Sequence, residues 1–178
     1  MGSTSIIPKK LLWVDLEMTG LDPASKRIVE VAAIVTDFDF NELAMYEAII
    51  HQSDEVLEGS DDWVKKTFKE NGLMEQIKSS EHQESEIRTA FAEFIGKNFT
   101  QPAILAGSSI HQDRRFIRQW WPEVESKLHY RMLDVTSLKI YMMGKHKIVM
   151  QKPETHRALD DIRGSMREFK EYIKQLKT

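Results

Sequence analysis

Two acids, Asp15 and Glu17, stand inside the apolar run LLWVDLEM that spans Leu11 to Met18. In an extended chain alternate side chains share a face, so both carboxylates point one way while Leu12, Val14, Leu16 and Met18 point the other. One unpaired buried carboxylate is costly, and two on the same face also repel each other. The pattern asks for a positive partner. Taken alone, the pair divides about evenly between a solvated or lysine-bound acid pair and a metal site. Two further acids shift that balance. Asp113 opens a helix just after a buried strand, and Asp161 sits at the margin of the apolar stripe of the last helix. Capping or dipole stabilisation would explain Asp113 singly, and solvation would explain Asp161. His156, five positions before Asp161, would singly be a surface residue or a cap. The conjunction of all five is harder to dismiss.

The acid-bearing run is the first of three β-like stretches, KKLLWVDLEM, RIVEVAAIVTD and LAMYEAIIHQ, separated by the turn-rich TGLDPASK and the polar FDFNE. They suit a meander of neighbouring strands. A helical region follows around DDWVKKTFKENG, closed by Gly72 as a C-terminal cap. The next helix, over ESEIRTAFAEFIGKNF, sets Ile87, Phe91, Phe94 and Ile95 on one face. PAILAG reads as a short buried strand, SSIHQ as a loop, and DRRFIRQWW as a helix ending near Pro122. YRMLDVTSL passes from strand into helix. At the C-terminus Leu159, Ile162, Met166, Phe169, Ile173 and Leu176 step by three and four along one helix, with His156 near its start. This order implies an α/β architecture, a mixed β-sheet flanked by α-helices.

The 178 residues, 41% hydrophobic and 30% charged, suit one globular domain over residues 11–178 behind a tail of residues 1–10. A net charge of −3 excludes a broad basic field for holding long nucleic acid, so any such contact is local and the ligand short. With no cysteine there is no disulfide framework and no thiolate chemistry, which fits a reducing compartment. The N-terminal MGSTSIIPKK is too short and polar for a signal peptide, and no stretch has the length of a membrane span. A soluble cytoplasmic protein is expected.

WVDLEMTGLD, AGSSIHQDRRF and HRALDDIR, in that order, resemble the three motifs of the DEDDh family of 3′-to-5′ exonucleases, and the combination with HYR.LDV is closest to its oligoribonuclease branch. The likeness runs from about Leu11 into the last helix. It implies a ribonuclease H-like fold, with Asp15, Glu17, Asp113 and Asp161 holding two divalent ions and His156 as general base. Hard oxygen ligands suit Mg²⁺ or Mn²⁺, and a carboxylate set without cysteine argues against a structural zinc. A histidine rather than a tyrosine ahead of Asp161 places the chain in the "h" branch.

The resemblance further implies very short single-stranded RNA, particularly dinucleotides, as substrate and nucleoside 5′-monophosphates as products. It gives Leu21 and Trp63 to the bases, Ser109, Arg131 and Thr136 to the 5′ phosphate, and Tyr130 to activity across a homodimer. Trp120, Trp121 and the last helix offer surfaces for such a dimer, although core packing explains them equally well. Several positions depart from the family pattern: Ser108 for Asn, His111 for Gly, Phe68 for His, Met132 for Asn and Thr136 for Ser. His111, two residues from Asp113, is a candidate to tune the metal site. Rival readings are a DEDDh exonuclease for longer single-stranded DNA or RNA, an inert nucleic-acid-binding module, and a plain interaction domain. An inert domain has no use for a repulsive acid cluster.

Overall fold

The computed structural model describes residues 7–150 and 155–176. Its centre is a five-stranded sheet in the order β3-β2-β1-β4-β5. β1 (Leu11–Met18), β2 (Ile28–Thr36) and β3 (Glu42–Ile49) form the antiparallel meander expected from the sequence. β4 (Ala103–Gly107) then joins β1 in parallel, and β5 (Leu128–Asp134) joins β4 in parallel. The mixed sheet matches the α/β expectation. β2 is buried along its whole length, as a strand covered on both faces must be.

The helices are α1 (Asp54–Glu58), α2 (Asp62–Glu70), α3 (Leu73–Ser79), α4 (Glu84–Asn98), α5 (His111–Trp120), α6 (Pro122–Glu125), α7 (Val135–Tyr141) and α8 (Ala158–Leu176), with a π-turn over Met142–His146. Strand alternation sorts the core into two layers. Leu12, Val14 and Leu16 of β1 pack with Phe91 and Ile95 of α4 and Phe116 and Ile117 of α5. Leu11 and Trp13, with Ala32 and Ile34 of β2, pack beneath Ala158, Ile162 and Met166 of α8. A third cluster joins Val29 to Phe68, Leu73 and Ile77 of α2 and α3, forming a helical flank beside the sheet.

Odd-numbered residues of β1 therefore face α8, and Asp15 and Glu17 continue that row. β1 pairs with β4 only at Leu12 and Trp13, after which the strands part. Gly107 ends β4 so close to β1 that a Cβ there would lie 2.9 Å from the Val14 carbonyl oxygen. The opening lies at the carboxyl ends of two parallel strands, where open α/β sheets present their ligand clefts.

Three details sharpen the sequence reading. α5 starts at His111, so Asp113 lies inside its first turn, and SSIHQ is only partly a loop. Gly72, in the left-handed conformation at φ 77°, stands just after the C-cap Asn71 and closes α2 as expected, and it is also the N-cap of α3. Trp121 is fully buried in the α4–α5 core and donates its indole N–H to Glu84, while the Trp120 ring lies 3.7 Å beneath the Arg27 guanidinium. Core packing and a cation–π contact, not a free surface, account for both tryptophans.

Candidate active site

Glu17, His156 and Asp161 each present one ligand atom, all within 4.8 Å of one another, and could hold a metal ion. Three separate parts of the fold deliver them. Glu17 comes from the end of β1, Asp161 from the first turn of α8, and His156 from the segment just ahead of α8. Asp113 approaches from the other layer. Its Oδ1 accepts a hydrogen bond from the Leu16 N–H at 2.9 Å, taking a backbone donor of β1 beyond the stretch paired with β4. Asp15 lies on the same strand face as Glu17, opposite Ala32 of β2. Of the expected acids, Glu17 and Asp161 come together with His156, and Asp113 bonds the strand between Asp15 and Glu17.

The electrostatics reflect that convergence. Burial first, and then the nearby charges of Glu30, Asp161 and Asp113, together push the Glu17 carboxyl up to about 8 against the lowering effect of Arg157. Burial also holds Asp113 well above the usual carboxylate range, with the Leu16 N–H opposing the shift. Protonation or a cation relieves such a cluster.

His156 is not helical. It sits two residues before α8 with φ 51°, a conformation uncommon outside glycine. Its carbonyl accepts 2.7 Å from the Asn71 Nδ2, and its ring meets Trp63 edge-on with centroids 4.9 Å apart. Trp63, against His156, is 61% exposed, and Leu21, three residues past the end of β1, is 66% exposed, so both offer apolar surface to solvent. Lys26 ties their segments together, pairing with Asp61 at 2.6 Å and donating to the Gly59 carbonyl at 2.7 Å. The Asp61 N–H bonds the Thr19 carbonyl at 3.0 Å. A Cβ on Gly20 would collide with the Asp61 carboxylate, so this close approach requires glycine.

Ser109 and Thr136 are brought together. The Ser109 N–H donates to Thr136 Oγ1 at 2.9 Å and to Asp134 Oδ1 at 3.0 Å, and the two hydroxyls lie 3.1 Å apart. Arg131 lies on the exposed edge strand β5, its guanidinium 5.0 Å from the Tyr130 ring centroid. Tyr130 itself is 70% exposed and stacks on His129. Among the departures, Ser108 shares a 2.9 Å hydrogen bond with Ser165 of α8, joining the β4–α5 turn to that helix. Phe68 is core and offers no polar contact. His111 points its Nδ1 to Asp134 at 3.7 Å, on the Ser109 side.

The sequence reading missed Glu30, a fully buried acid paired across the strands with Glu17, together with Arg157 and Asn71. Glu30 had a readable signal, since RIVEVAAIVT carries its acid as β1 does. Nothing local marks Asn71, which acts on a residue 85 positions away.

A model of the exonuclease family matches residues 12–169. The chain is 45% identical over 172 residues to the oligoribonuclease of Francisella tularensis subsp. novicida (strain U112), covering 93% of this chain and 95% of that one. The oligoribonuclease of Haemophilus influenzae is 44% identical over 169 residues, at 92% and 93% coverage. This chain belongs to the oligoribonuclease family of exonucleases. Its fold is similar to that of E. coli exonuclease I in complex with a 5cy-dA13 oligonucleotide, with a TM-score of 0.65, 18% identity and 91% of this chain covered. A product-bound exonuclease I gives a TM-score of 0.69 at 13% identity over 94% of this chain. This exonuclease spans only about two-fifths of those longer chains, 40% and 43%.

Burial at Glu17 generates a signed prediction for the metal-free enzyme. Its folded value of about 8 lies above the ordinary 4.5. Between those values the folded protein keeps a proton that the unfolded chain has lost, so stability falls as pH rises through the window. In chelator, Glu17→Gln should melt near the parent at pH 5 and increasingly above it toward pH 8. A gap in Tm that does not grow with pH contradicts this.

Proposed function

We propose that this chain is a 3′-to-5′ exoribonuclease that hydrolyses short single-stranded RNA, especially dinucleotides, to nucleoside 5′-monophosphates. The observation that carries the reading is the approach of Glu17, Asp161 and His156 within 4.8 Å beside the exposed Trp63 and Leu21. Relatives named oligoribonuclease at 44–46% identity support it. Residues 11–178 act as one exonuclease domain. No helix among the described residues is long and apolar enough to cross a membrane, and the reading sets the enzyme to work in the cytoplasm.

Asp15, Glu17, Asp113 and Asp161 fit a pair of hard divalent ions, Mg²⁺ or Mn²⁺. Such ions, when bound, would supply an acidified water and charge stabilisation at the scissile phosphate. The chain's own residues do the rest. His156 takes a proton from the attacking water, the general-base role that histidine fills most often. Trp63 and Leu21 stack against the bases, a contact that tolerates any base. The Ser109–Thr136 hydroxyl pair and the Arg131 guanidinium bind the 5′ phosphate, the latter by a charge-assisted bond. Grips on both ends favour a substrate only a few nucleotides long.

The enzyme acts as a homodimer, with Tyr130 of one copy completing the site of the other. Support lies in the apolar residues exposed on and after the edge strand β5: Tyr130, Met132, Ile140, Tyr141, Met143 and Val149. Apolar surface next to an unpaired strand edge is the kind that association covers.

A 5′-labelled RNA dinucleotide, assayed beside a seven-mer of the same sequence, tests the substrate. Cleavage of the dinucleotide with Mn²⁺ or Mg²⁺, abolished by EDTA, is expected. A seven-mer trimmed only as far as two nucleotides would contradict the length preference. In the same assay Asp161→Asn should abolish turnover, and His156→Ala should slow it roughly 10²- to 10⁴-fold, as loss of a general base does. If His156→Ala instead weakens Mn²⁺ binding in proportion, His156 is a ligand rather than the base. For the dimer, Ile140→Asp with Tyr141→Asp should give a folded monomer of low activity; a fully active monomer contradicts the role of Tyr130.

A further inference from the structure

Glu30, in the interior of β2, is 0% exposed, the most deeply buried acid among the described residues. It lies directly across the strands from Glu17, in the same row as Ala32 and Ile34, which pack beneath α8. Its carboxylate is fully engaged by the chain that follows His156. Arg157 donates to Oε1 from Nη2 at 2.8 Å and from Nε at 3.1 Å, and the Ala158 N–H donates to Oε2 at 3.1 Å. The Arg157 Nη2 also reaches Gln76 Oε1 on α3 at 3.0 Å. The Asp161 N–H in turn bonds the Arg157 carbonyl at 3.0 Å.

Residues 157 and 158 therefore join a strained backbone at His156 to the helix turn that carries Asp161. A non-glycine residue holds φ 51° only where its surroundings over-determine it. Here Asn71 grips the His156 carbonyl on one side, and Glu30 grips Arg157 and Ala158 on the other. A buried ion pair is poor at adding stability compared with apolar residues of the same volume, and its best-attested use is to select one arrangement. The planar guanidinium against a carboxylate fixes direction as well as distance.

We infer that the Glu30–Arg157 pair is a positioning device that sets His156 and Asp161 against Glu17 through the backbone of residues 157 and 158. This rests on the reading of His156 as the general base. Glu30 is buried and Arg157 is turned onto it, so the effect is expected on the chemical step rather than on substrate binding.

The double variant Glu30→Met/Arg157→Met tests the pair, because it replaces both charges together and leaves neither stranded. With saturating Mn²⁺ and a short RNA, kcat should fall about ten- to hundred-fold, as small misplacements of reacting groups do, while KM stays unchanged. Hydrogen exchange at the Ala158 amide should quicken in the metal-free protein. A kcat within twofold of the parent overturns the inference, whatever the exchange at Ala158, and leaves the pair a packing feature. Should the double variant fail to fold, Arg157→Lys keeps the charge but loses the fork. A smaller fall in kcat at constant KM supports the inference, and an unchanged kcat overturns it. His156→Gln, run alongside, separates the two ideas: full turnover in it removes the base assignment, and Ala158 exchange then still decides whether the pair holds this segment.

Discussion

Repulsion among carboxylates held at one point is the constraint on which the rest of this structure depends. Asp15 and Glu17 share a strand face, Asp161 comes down on that face from α8, and Asp113 arrives from α5 to bond the strand's own backbone. None of these elements can relax away from the others cheaply. β1 is pinned by β2 along its length and by apolar layers above and below, while α8 is anchored by the stripe through Ile162 and Met166. The packing energy of both layers thus opposes the spreading of the acids. A fold that concentrates negative charge in this way suits a cation better than it suits its own stability.

The helical flank formed by α2 and α3 contributes the other half of the arrangement. α2 carries Trp63 near its start and ends at Asn71, so one short helix contacts the His156 ring and the His156 carbonyl together. Its N-cap, Asp61, is tied to Thr19 and Lys26 on the segment that bears Leu21. The surfaces read as base contacts and the residue read as the base are thereby parts of one connected body. Movement of α2 would disturb the His156 ring contact and its carbonyl hydrogen bond together.

Much of this was legible in the chain because the relevant patterns are local. Period-two alternation marked β1 and showed that its acids share a face, and the three-and-four stepping of apolar residues marked α4 and α8. Short elements were not legible: α1, α3 and α6 have four to seven residues, too few to show a period. Trp121 shows a different limit, since a large aromatic at a helix end suits a core and an interface equally until the packing of Phe91 is known. The positive φ of His156 was beyond reach because its causes, Asn71 and Glu30, lie far away in sequence. Glu30 was overlooked although it had the same signature as Asp15, an acid in an apolar strand.

The acid cluster is expected to bind cations and to give up a proton in doing so. Titration calorimetry of the metal-free protein with Mn²⁺ at pH 7, repeated in buffers of different ionisation enthalpy, measures both. Two ions per chain are expected, with net proton release, because Glu17 is held up to about 8 and must ionise to bind. Heat that is absent at millimolar Mn²⁺, or binding that releases no protons, would contradict the central claim.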